Sequence, residues 1–205
     1  VKTKKTERTS HGWIKLEISG EEENVALRYL VEEIGLCPER LENVDKFSTM
    51  QGRITNLNRS NELLYVDVGV YSPDIVDAAI PLHRLQARLA DGRKIALKKC
   101  AELFGFCENL PLIIKVLGVD KEKKSIEAEL SEKQVTQYAG WGKSLLDRLI
   151  VLGVPQFEVR SALESAGFAR DTVEIEPLGL FECAVVCKLG TEAAGLIPRI
   201  GRRLQ

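Results

Sequence analysis

The clearest pattern in the sequence is an alternation of apolar and other side chains over residues 63–70. A period of two residues is typical of a β-strand with one buried face. The face predicted to be buried is formed by Leu64, Val66, Val68 and Val70. On the opposite face, Tyr65 is predicted to be largely exposed, and Asp67 is predicted to support the turn after the strand.

Similar patterns on both sides of this strand predict a small β-barrel. Gly52 lies in a first strand, and turn residues follow at 56–62. A helical insert and a second hairpin, whose strands are rich in β-branched side chains, are predicted at residues 82–89, 98–104, 112–119 and 125–130. Several short strands with one helical insert predict a five-stranded OB-type barrel.

The first part of the chain has a different character. Residues 1–10 are rich in Lys, Thr and Arg without an apolar period, which predicts a flexible tail or an opened loop. Residues 13–18 alternate as a strand, and Ser19 is predicted to cap a helix that Gly35 ends. The apolar stripe of this helix is Val25, Leu27, Leu30, Val31 and Ile34. One strand and one helix cannot close a core, so we expect the other half of this α/β unit to precede residue 1.

The last part of the chain predicts a separate unit. Residues 134–142, with Trp141 between two glycines, are predicted to link this unit to the barrel. Its predicted elements are a strand, a helix, two strands and a final helix, at residues 147–152, 155–166, 172–175, 181–187 and 191–201. Thr191 is predicted to cap the final helix with its hydroxyl. The order βαββα predicts a ferredoxin-like α+β domain whose last edge strand is missing or very short.

Two resemblances can be stated from these residues. Gly-Arg-Ile at 52–54, Val-Asp-Val-Gly-Val at 66–70 and Ala-Ile-Pro-Leu-x-x-Leu at 79–85 resemble the S1 RNA-binding module. That module has a Gly-x-Ile strand, then a strand that ends in Asp-x-Gly, then a segment Ile-Pro-x-x-x-Leu. Further stretches resemble an archaeal family known only as a domain of unknown function, and they lie at residues 13–23, 89–92, 104–116 and 187–201. This second resemblance spans nearly the whole chain and implies no activity.

The predicted fold class is therefore α+β, with an S1-like OB barrel between two other units. We predict a partial N-terminal α/β segment, the barrel with its helical insert, and a C-terminal ferredoxin-like domain, at residues 1–45, 46–132 and 133–205. The chain of 205 residues is 44% hydrophobic with a net charge of −1, so any attraction to nucleic acid must come from local patches. No apolar run reaches membrane-spanning length and no signal-like segment is present, so we expect a cytoplasmic protein without a membrane partner.

The sequence offers little for catalysis. His11 and His83 are far in sequence from any cysteine, and the five cysteines, without a C-x-x-C pair, are predicted to be reduced and metal-free. The carboxylates considered as metal ligands, and predicted instead to be solvated, are Asp74, Asp77, Glu127 and Glu129. We therefore predict no enzyme activity and no cofactor. The alternative is an enzyme whose site forms between domains, in a pocket lined by Asp67, His83 and the turn at Gly190.

Binding of RNA is the predicted function, with a possible place in translation or RNA processing. OB barrels bind single strands by stacking bases on aromatic rings and by pairing phosphates with Lys and Arg. The residues predicted to form the nucleic-acid-binding surface are Tyr65, Arg53, Arg59, Arg84, Arg88, Arg93, Lys94, Lys98, Lys99 and Lys115. The alternative is a scaffold or adaptor subunit of a larger protein complex. In that case we expect the basic residues to pair with acids of the N-terminal segment, such as Glu32 and Glu33.

Overall fold

The computed structural model describes residues 2–8 and 13–204. For Arg8, Glu32 and Glu33 it describes the backbone only, so the predicted pairing of basic residues with the last two falls on side chains outside the described part. His11, considered above for catalysis, also lies outside the described residues.

The chain begins with a hairpin and a helix. β1 (Lys2–Arg8) pairs antiparallel with β2 (Ile14–Ser19), and α1 (Glu23–Glu33) follows. The prediction of a flexible tail over residues 1–10 was wrong for β1. Its side chains show no apolar alternation because both faces of this strand lie in water, and the backbone pairing with β2 does not depend on such a pattern.

The helix differs from its predicted start but not from its predicted end. Ser19 ends β2, and the residue before α1 is Glu22, which makes no side-chain cap hydrogen bond, so the predicted Ser19 cap was wrong. Gly35 follows the helix with φ of 83°, as its predicted stop position requires. Much of the predicted apolar stripe is in water, with exposed side chains at Val25, Leu27 and Val31.

A closed five-stranded barrel follows β3 (Glu39–Arg40) and a 3₁₀-helix (Leu41–Asn43). The elements of this region are β4 (Thr49–Thr55), β5 (Leu63–Asp67), β6 (Val70–Ser72), β7 (Ala78–Pro81), α2 (Leu82–Leu89), α3 (Leu97–Phe104), β8 (Pro111–Asp120) and β9 (Ser125–Leu130). The barrel closes in the order β4-β5-β7-β9-β8, with β7 and β9 parallel and the other neighbours antiparallel. β6 lies outside it and pairs parallel with β3. The predicted OB-type barrel with a helical insert is confirmed.

The register of β5 is also confirmed. All four apolar residues of its predicted inner face are at most 1% exposed. The strand ends at Asp67 because Gly69 adopts φ of 79° and turns the chain before β6. Gly52 faces the same interior, where a Cβ would lie 2.6 Å from Val66 Cγ1, so β4 needs glycine at this position.

The predicted linker over residues 134–142 was wrong, because these residues belong to α4 (Glu132–Lys143). Ser131 caps this helix through its side-chain oxygen, which accepts a backbone hydrogen bond at 3.2 Å. Tyr138 is 2% exposed and packs edge-on against two phenylalanine rings. The glycines near Trp141 suggested a linker, but the packing of these rings stabilises the helix against its weak propensity.

The C-terminal unit has the predicted βαββα order. Its elements are β10 (Arg148–Leu152), α5 (Gln156–Ser165), β11 (Thr172–Pro177), β12 (Glu182–Cys187) and α6 (Ala193–Gly201). β12 lies between β10 and β11 and is antiparallel to both, as in a ferredoxin-like split βαβ unit. The predicted Thr191 cap was wrong, since Glu192 precedes α6 and no side-chain hydrogen bond caps the helix.

The C-terminal sheet packs on both sides. Leu149 and Val151 of β10 face the cluster formed with α5 and α6, whereas Ile150 and Leu152 pack against the barrel core. A polar cluster reinforces the second contact, because Glu176 of β11 accepts hydrogen bonds from Trp141 Nε1 at 2.7 Å and Arg148 Nη2 at 3.3 Å. The sheet face without helices is therefore covered by the barrel and α4.

Two buried clusters thus organise the described residues, one in and around the barrel and one between the C-terminal sheet and its helices. Tyr138 of α4 belongs to the first cluster. The predicted division of the chain at residues 45/46 and 132/133 stays a prediction. Over residues 2–8 and 13–204, no helix combines the length and the apolar character needed to cross a membrane.

Candidate nucleic-acid interface

Asp67, at the end of β5, gathers hydrogen bonds from three parts of the chain. Its carboxylate accepts from Trp13 Nε1 at 3.1 and 3.2 Å, from Arg53 Nη2 at 3.2 Å and from the Gly69 backbone N–H at 2.9 Å. The bond from Gly69 supports the turn after β5, as predicted. The bonds from Trp13 hold its indole against the barrel, with the Arg53 guanidinium 5.1 Å from the ring centre. Asp67 is therefore an anchor whose acceptor capacity is largely engaged.

The close approach of the N-terminal part depends on Gly69. Its φ is 79°, and a Cβ there would lie 1.7 Å from Cys37 Sγ and 3.3 Å from Trp13 Cε2. Cys37 Sγ lies 3.8 Å from the Val68 carbonyl oxygen, and burial raises the pKa of this thiol to about 12. The thiol is therefore protonated at neutral pH. Trp13 and Cys37 both pack on a stretch of backbone that only glycine leaves open.

A cavity of about 230 Å³ opens beside this cluster, on the outer side of β4 and β5. Its lining includes Trp13, Arg53, Asn56, Tyr71, Ile75, Asp77 and Asn109. Two aromatic residues, two asparagines and an exposed isoleucine therefore border one concave surface. Rings stack on the faces of nucleobases, and amides hydrogen-bond to their polar edges.

The charges around this cavity are balanced. Arg53 pairs with Asp67 at 3.2 Å, directly opposite it on the neighbouring strand, and Arg59 pairs with Asp77 at 3.6 Å. The Asp67 and Asp77 side chains are 17% and 12% exposed, so both pairs are partly shielded from water. Among the described residues, these two cations and two carboxylates balance, so the two ion pairs give no net attraction for phosphate. The cavity is chemically suited to an uncharged, planar group with polar edges.

The rim of the cavity is held by contacts between two loops. Glu108 accepts hydrogen bonds from the backbone N–H groups of Asn56 at 3.1 Å and Leu57 at 2.6 Å. Asn109 N–H donates to the Ile54 carbonyl oxygen at 2.9 Å. Asn56 and Asn109 adopt positive φ values of 49° and 65°, a conformation that asparagine tolerates better than most residues. Both amides are therefore carried on fixed backbone.

Tyr65 was predicted to be largely exposed, and this was wrong. The ring is half-buried because the Arg59 guanidinium lies 4.3 Å from its centre and covers it. Tyr65 also lies directly opposite Thr55, which lines the cavity. Of the ten predicted binding residues, Arg53 therefore lines the cavity, and Tyr65 and Arg59 neighbour residues that line it.

The basic stretch, residues 84–99, holds most of the other predicted binding residues. Arg84 Nη2 donates to Glu127 Oε1 at 2.8 Å. Arg88 hydrogen-bonds to Glu132, and this bond raises the pKa of the Arg88 guanidinium. Both arginines are thus engaged by carboxylates of β9 and α4.

The remaining cations of the basic stretch lie around α3. Lys99 Nζ pairs with Glu102 at 3.1 Å. Arg93, Lys94 and Lys98 are exposed, and none of them forms an ion pair with another described residue. The observed partners of the basic stretch are acids of β9, α3 and α4. Whether this stretch contacts RNA stays a prediction.

Lys115 lies apart from the cavity. It sits in β8, opposite Thr49 of β4 and Glu129 of β9. Thr49 is four residues before Arg53 on the same strand, which corresponds to roughly 13 Å along the barrel wall. The structure therefore does not bring Lys115 together with Arg53 and Tyr65.

The residues named for an inter-domain enzyme site do not meet in this cavity. Asp67 lines it, whereas His83 is exposed on α2 and Gly190 precedes α6. Burial raises the pKa of the thiols of Cys100, Cys107, Cys183 and Cys187. Within the described residues, no group of three or more His, Cys, Asp or Glu side chains is placed to hold a metal ion.

Sequence reasoning did not include Trp13, Tyr71, Asn56 and Asn109 in the site. Trp13 was assigned to a strand of another unit, whereas its long-range contacts with Asp67, Arg53 and Gly69 place it on the barrel. Tyr71 follows the strand whose alternation was analysed, and the turn at Gly69 brings it to the cavity. The available signal was the Asp-x-Gly turn, because a chain that reverses there carries its next residues back over the outer face.

Comparisons with solved structures return small, distant matches. A vaccinia virus protein (Wisconsin strain) is 17% identical over 43% of this chain and 89% of that chain, with a TM-score of 0.28. The uncharacterized protein MJ1198 from Methanocaldococcus jannaschii is 11% identical over 43% of this chain and 95% of that chain, with a TM-score of 0.29. A chain of the a/eIF2alpha-aDim2p-rRNA complex from Pyrococcus horikoshii OT3 is 15% identical over 60% of this chain and 64% of that chain, with a TM-score of 0.33.

Comparison with protein families is more informative. None of the curated proteins searched matches the chain. The profile of the DUF2110 central domain matches residues 44–142, which contain the barrel and nearly all of α4. The profile of the DUF2110 C-terminal domain matches residues 146–205, which contain the βαββα unit. The predicted membership of a family of unknown function is thereby confirmed, and the chain belongs to the DUF2110 family.

Proposed function

We propose that this protein binds single-stranded RNA and catalyses no reaction, with bases entering the cavity beside Trp13 and Tyr71. The observation that carries this proposal is the lining of that cavity, where two aromatic residues and two asparagines on a hydrogen-bonded backbone border a surface whose described ion pairs balance in charge. OB barrels bind single strands on such outer strand faces. The resemblance of residues 52–85 to the S1 module favours RNA as the ligand, and a place in translation or RNA processing belongs to the same proposal.

The expected strength of this interaction follows from stacking. Each base stacked on an aromatic side chain contributes on the order of 1–3 kcal/mol, as measured by alanine substitution. Since Arg53 and Arg59 are paired with carboxylates, the cavity itself adds little phosphate attraction. We therefore expect the contribution of the cavity to be nearly independent of salt and tolerant of base sequence.

Tryptophan fluorescence provides a direct test. The chain has two tryptophans, and Trp141 is held by Glu176 at the joint between α4 and the C-terminal sheet. Single-stranded RNA should quench the emission of the wild-type protein, and the quenching should persist in Trp141→Phe. Trp13→Phe, which retains Trp141 as the only tryptophan, should show no quenching. Binding of labelled RNA to Trp13→Ala and Tyr71→Ala should be about 5- to 150-fold weaker than to the wild type.

Two outcomes would contradict the proposal. The first is the absence of binding by the wild-type protein at micromolar concentrations and low salt. The second is undiminished affinity in both Trp13→Ala and Tyr71→Ala, with thermal unfolding confirming that both variants are folded. A double-stranded RNA of equal length serves as the matched ligand control, because its bases are already stacked and should compete poorly for the cavity.

A second function, that of a scaffold subunit, is favoured by a different observation. The N-terminal segment carries exposed apolar side chains on the hairpin, on the helix and in the loop after it, at Ile14, Leu16, Val25, Leu27, Tyr29, Val31 and Leu36. Extended exposed apolar surface marks contacts with other proteins. If the scaffold were the whole function, Val25→Asp with Tyr29→Ser would raise solubility or change the assembly state in light scattering, and RNA would not bind.

A further inference from the structure

A second cavity lies in the C-terminal unit, between the ends of α5 and α6. Its volume is about 330 Å³, and Ser165, Ala166, Arg199, Arg202 and Arg203 line it. All three arginines are exposed. We propose that this arginine pocket binds phosphate groups of the RNA strand whose bases enter the barrel cavity, an inference that rests on the function proposed above.

The arginine pocket differs from the basic stretch in its lack of counter-charges. Over residues 2–8 and 13–204, none of the three arginines forms an ion pair, whereas Arg84 and Arg88 are both held by glutamates. Glu192 is the last acidic side chain in the sequence, so the charged side chains of α6 and of the described residues after it are all positive. The three cations are therefore free of carboxylate partners within the described chain.

The negative ends of two helix dipoles offset only part of this positive charge. α5 and α6 both end near the pocket, and cations at helix C-termini stabilise the partial negative charge there. Each helix end is equivalent to about half of an elementary negative charge. Two ends thus offset roughly one of the three positive charges, and the pocket keeps a clear positive excess.

Two of the arginines are oriented by neighbouring groups. The Arg199 guanidinium lies 5.4 Å from the centre of the Phe168 ring. Arg202 Nε donates to the Pro198 carbonyl oxygen at 2.9 Å, and this bond engages neither of its Nη groups. A guanidinium whose plane is fixed in this way loses less entropy when its remaining N–H groups bind phosphate oxygens as a fork.

The position of the pocket also fits the packing of the C-terminal unit. Ferredoxin-like RNA-binding domains stack bases on the sheet face that carries no helices. Here that face is covered, because Ile150 and Leu152 pack against the barrel core and Glu176 bonds to α4. The helical side remains accessible, and the arginine pocket is on that side.

Salt dependence of RNA binding tests this inference. On a single strand, the slope of log K against log salt falls by about 0.7 for each phosphate contacted. Replacing the three arginines (Arg199→Gln, Arg202→Gln, Arg203→Gln) should make the slope less negative by about 2 if each contacts one phosphate. Between 50 and 200 mM salt, the affinity of this triple variant should then fall roughly 20-fold less than that of the wild type.

A matched control comes from the same unit. Arg160, Arg170 and Lys188 are also exposed, and none forms an ion pair among the described residues. Replacing all three with glutamine removes the same charge and should leave the slope close to that of the wild type. Equal slopes in the two triple variants would overturn the inference while leaving RNA binding in the barrel cavity intact. A wild-type protein that binds no RNA would overturn the proposed function first.

A second measurement does not require RNA. Inorganic phosphate titrated into the free protein should shift the NMR signals of the Nε–H groups of Arg199, Arg202 and Arg203 more than those of Arg160 and Arg170. The shifts should saturate, and replacing one of the three arginines with glutamine should reduce the shifts of the two that remain. Shifts of equal size at all five arginines would show general ion screening and would overturn the arginine pocket as a phosphate site.

Discussion

The cavity beside Trp13 and the basic stretch are both candidate RNA surfaces, yet they use charge in opposite ways. At the cavity, two balanced ion pairs support rings and amides that border one concave surface. The basic stretch has more cations, but Arg84, Arg88 and Lys99 are engaged by glutamates. The basic stretch has more cations along the sequence, but its geometry supports the binding of bases less well than the cavity does.

The difference shows how little local charge density reveals about a folded surface. Glu127 lies 43 residues from Arg84, and Glu132 lies 44 residues from Arg88. The anchor of the cavity is equally remote in sequence, since Trp13 lies 54 residues from Asp67. Contacts between residues distant in sequence therefore neutralise the arginines of the basic stretch. At the cavity, contacts of the same kind hold the Trp13 indole against the barrel.

The largest expected effect concerns the backbone under the cavity. Gly69→Ala should lower the free energy of unfolding by on the order of 3 kcal/mol, because a Cβ would meet Cys37 and the residue would keep a strained positive φ. Gly92→Ala in the basic stretch is the matched control. It has a similar φ of 77° but no atom within 4 Å of the added Cβ, so its cost should be only about 1–2 kcal/mol.

Urea unfolding of both variants measures this difference. Gly69→Ala should also weaken RNA binding, because the Trp13 ring packs against the same point of the backbone. Equal losses of stability in the two variants would mean that crowding at Gly69 is relieved by movement of Cys37. The backbone and side chains beside the cavity would then be more mobile than the close packing at Gly69 implies.

The next effect concerns the two carboxylates that hold cations on these surfaces. Asp67→Asn should cost about 2–3 kcal/mol of stability, since the carboxylate is 17% exposed and accepts charge-assisted and backbone hydrogen bonds. Glu132→Gln, at a carboxylate that is 81% exposed, should cost less than about 1 kcal/mol. Thermal unfolding of the two variants side by side gives the comparison. If Glu132→Gln lost as much stability as Asp67→Asn, the ion pairs of the basic stretch would stabilise the fold as strongly as the hydrogen bonds of Asp67.

The barrel could be predicted from the sequence because β5 alternates and polar or glycine turns separate its strands. The four buried residues at alternate positions from Leu64 to Val70 illustrate this, since a shift by one residue would have exposed all of them. The βαββα unit could be predicted because its short apolar runs, such as β10 and β12, are separated by a helical stripe and by Pro and Gly residues. β1 and α4 were missed because neither has such a pattern. β1 is held by backbone pairing, and α4 by the packing of Tyr138 rather than by propensity.

The candidate site was less predictable than the fold. Arg53 and Tyr65 were found because they belong to the outer face of strands that the pattern identifies, and Arg59 because it lies in the turn between these strands. The burial of Tyr65 under Arg59 was not predictable, because it depends on the path of a turn. Trp13 and Tyr71 come to the cavity through long-range contacts, which a sequence pattern in one strand does not contain.

A third prediction separates the two tyrosines near the cavity. Tyr71→Ala should weaken binding of single-stranded RNA by about 1–3 kcal/mol, because its ring lines the cavity. Tyr65→Ala should have a smaller effect, because the Arg59 guanidinium already covers the Tyr65 ring. Fluorescence anisotropy with one labelled RNA measures both affinities, and Tyr71→Phe should retain most of the wild-type affinity. A larger loss for Tyr65→Ala than for Tyr71→Ala would move the stacking position toward the originally predicted surface.

The smallest expected effect belongs to the basic stretch. Lys98 and Lys99 lie on α3, and Lys99 is paired with Glu102. If bases bind in the cavity and phosphates in the arginine pocket, Lys98→Glu with Lys99→Glu acts on RNA only through screened, long-range repulsion. At about 0.1 M salt such repulsion falls off over roughly 10 Å, so affinity should change less than about threefold for every RNA sequence. The salt slope should remain that of the wild type. A tenfold loss, with a slope less negative by about 1 or more, would instead show phosphate contacts at α3 and would remove the distinction between the two surfaces.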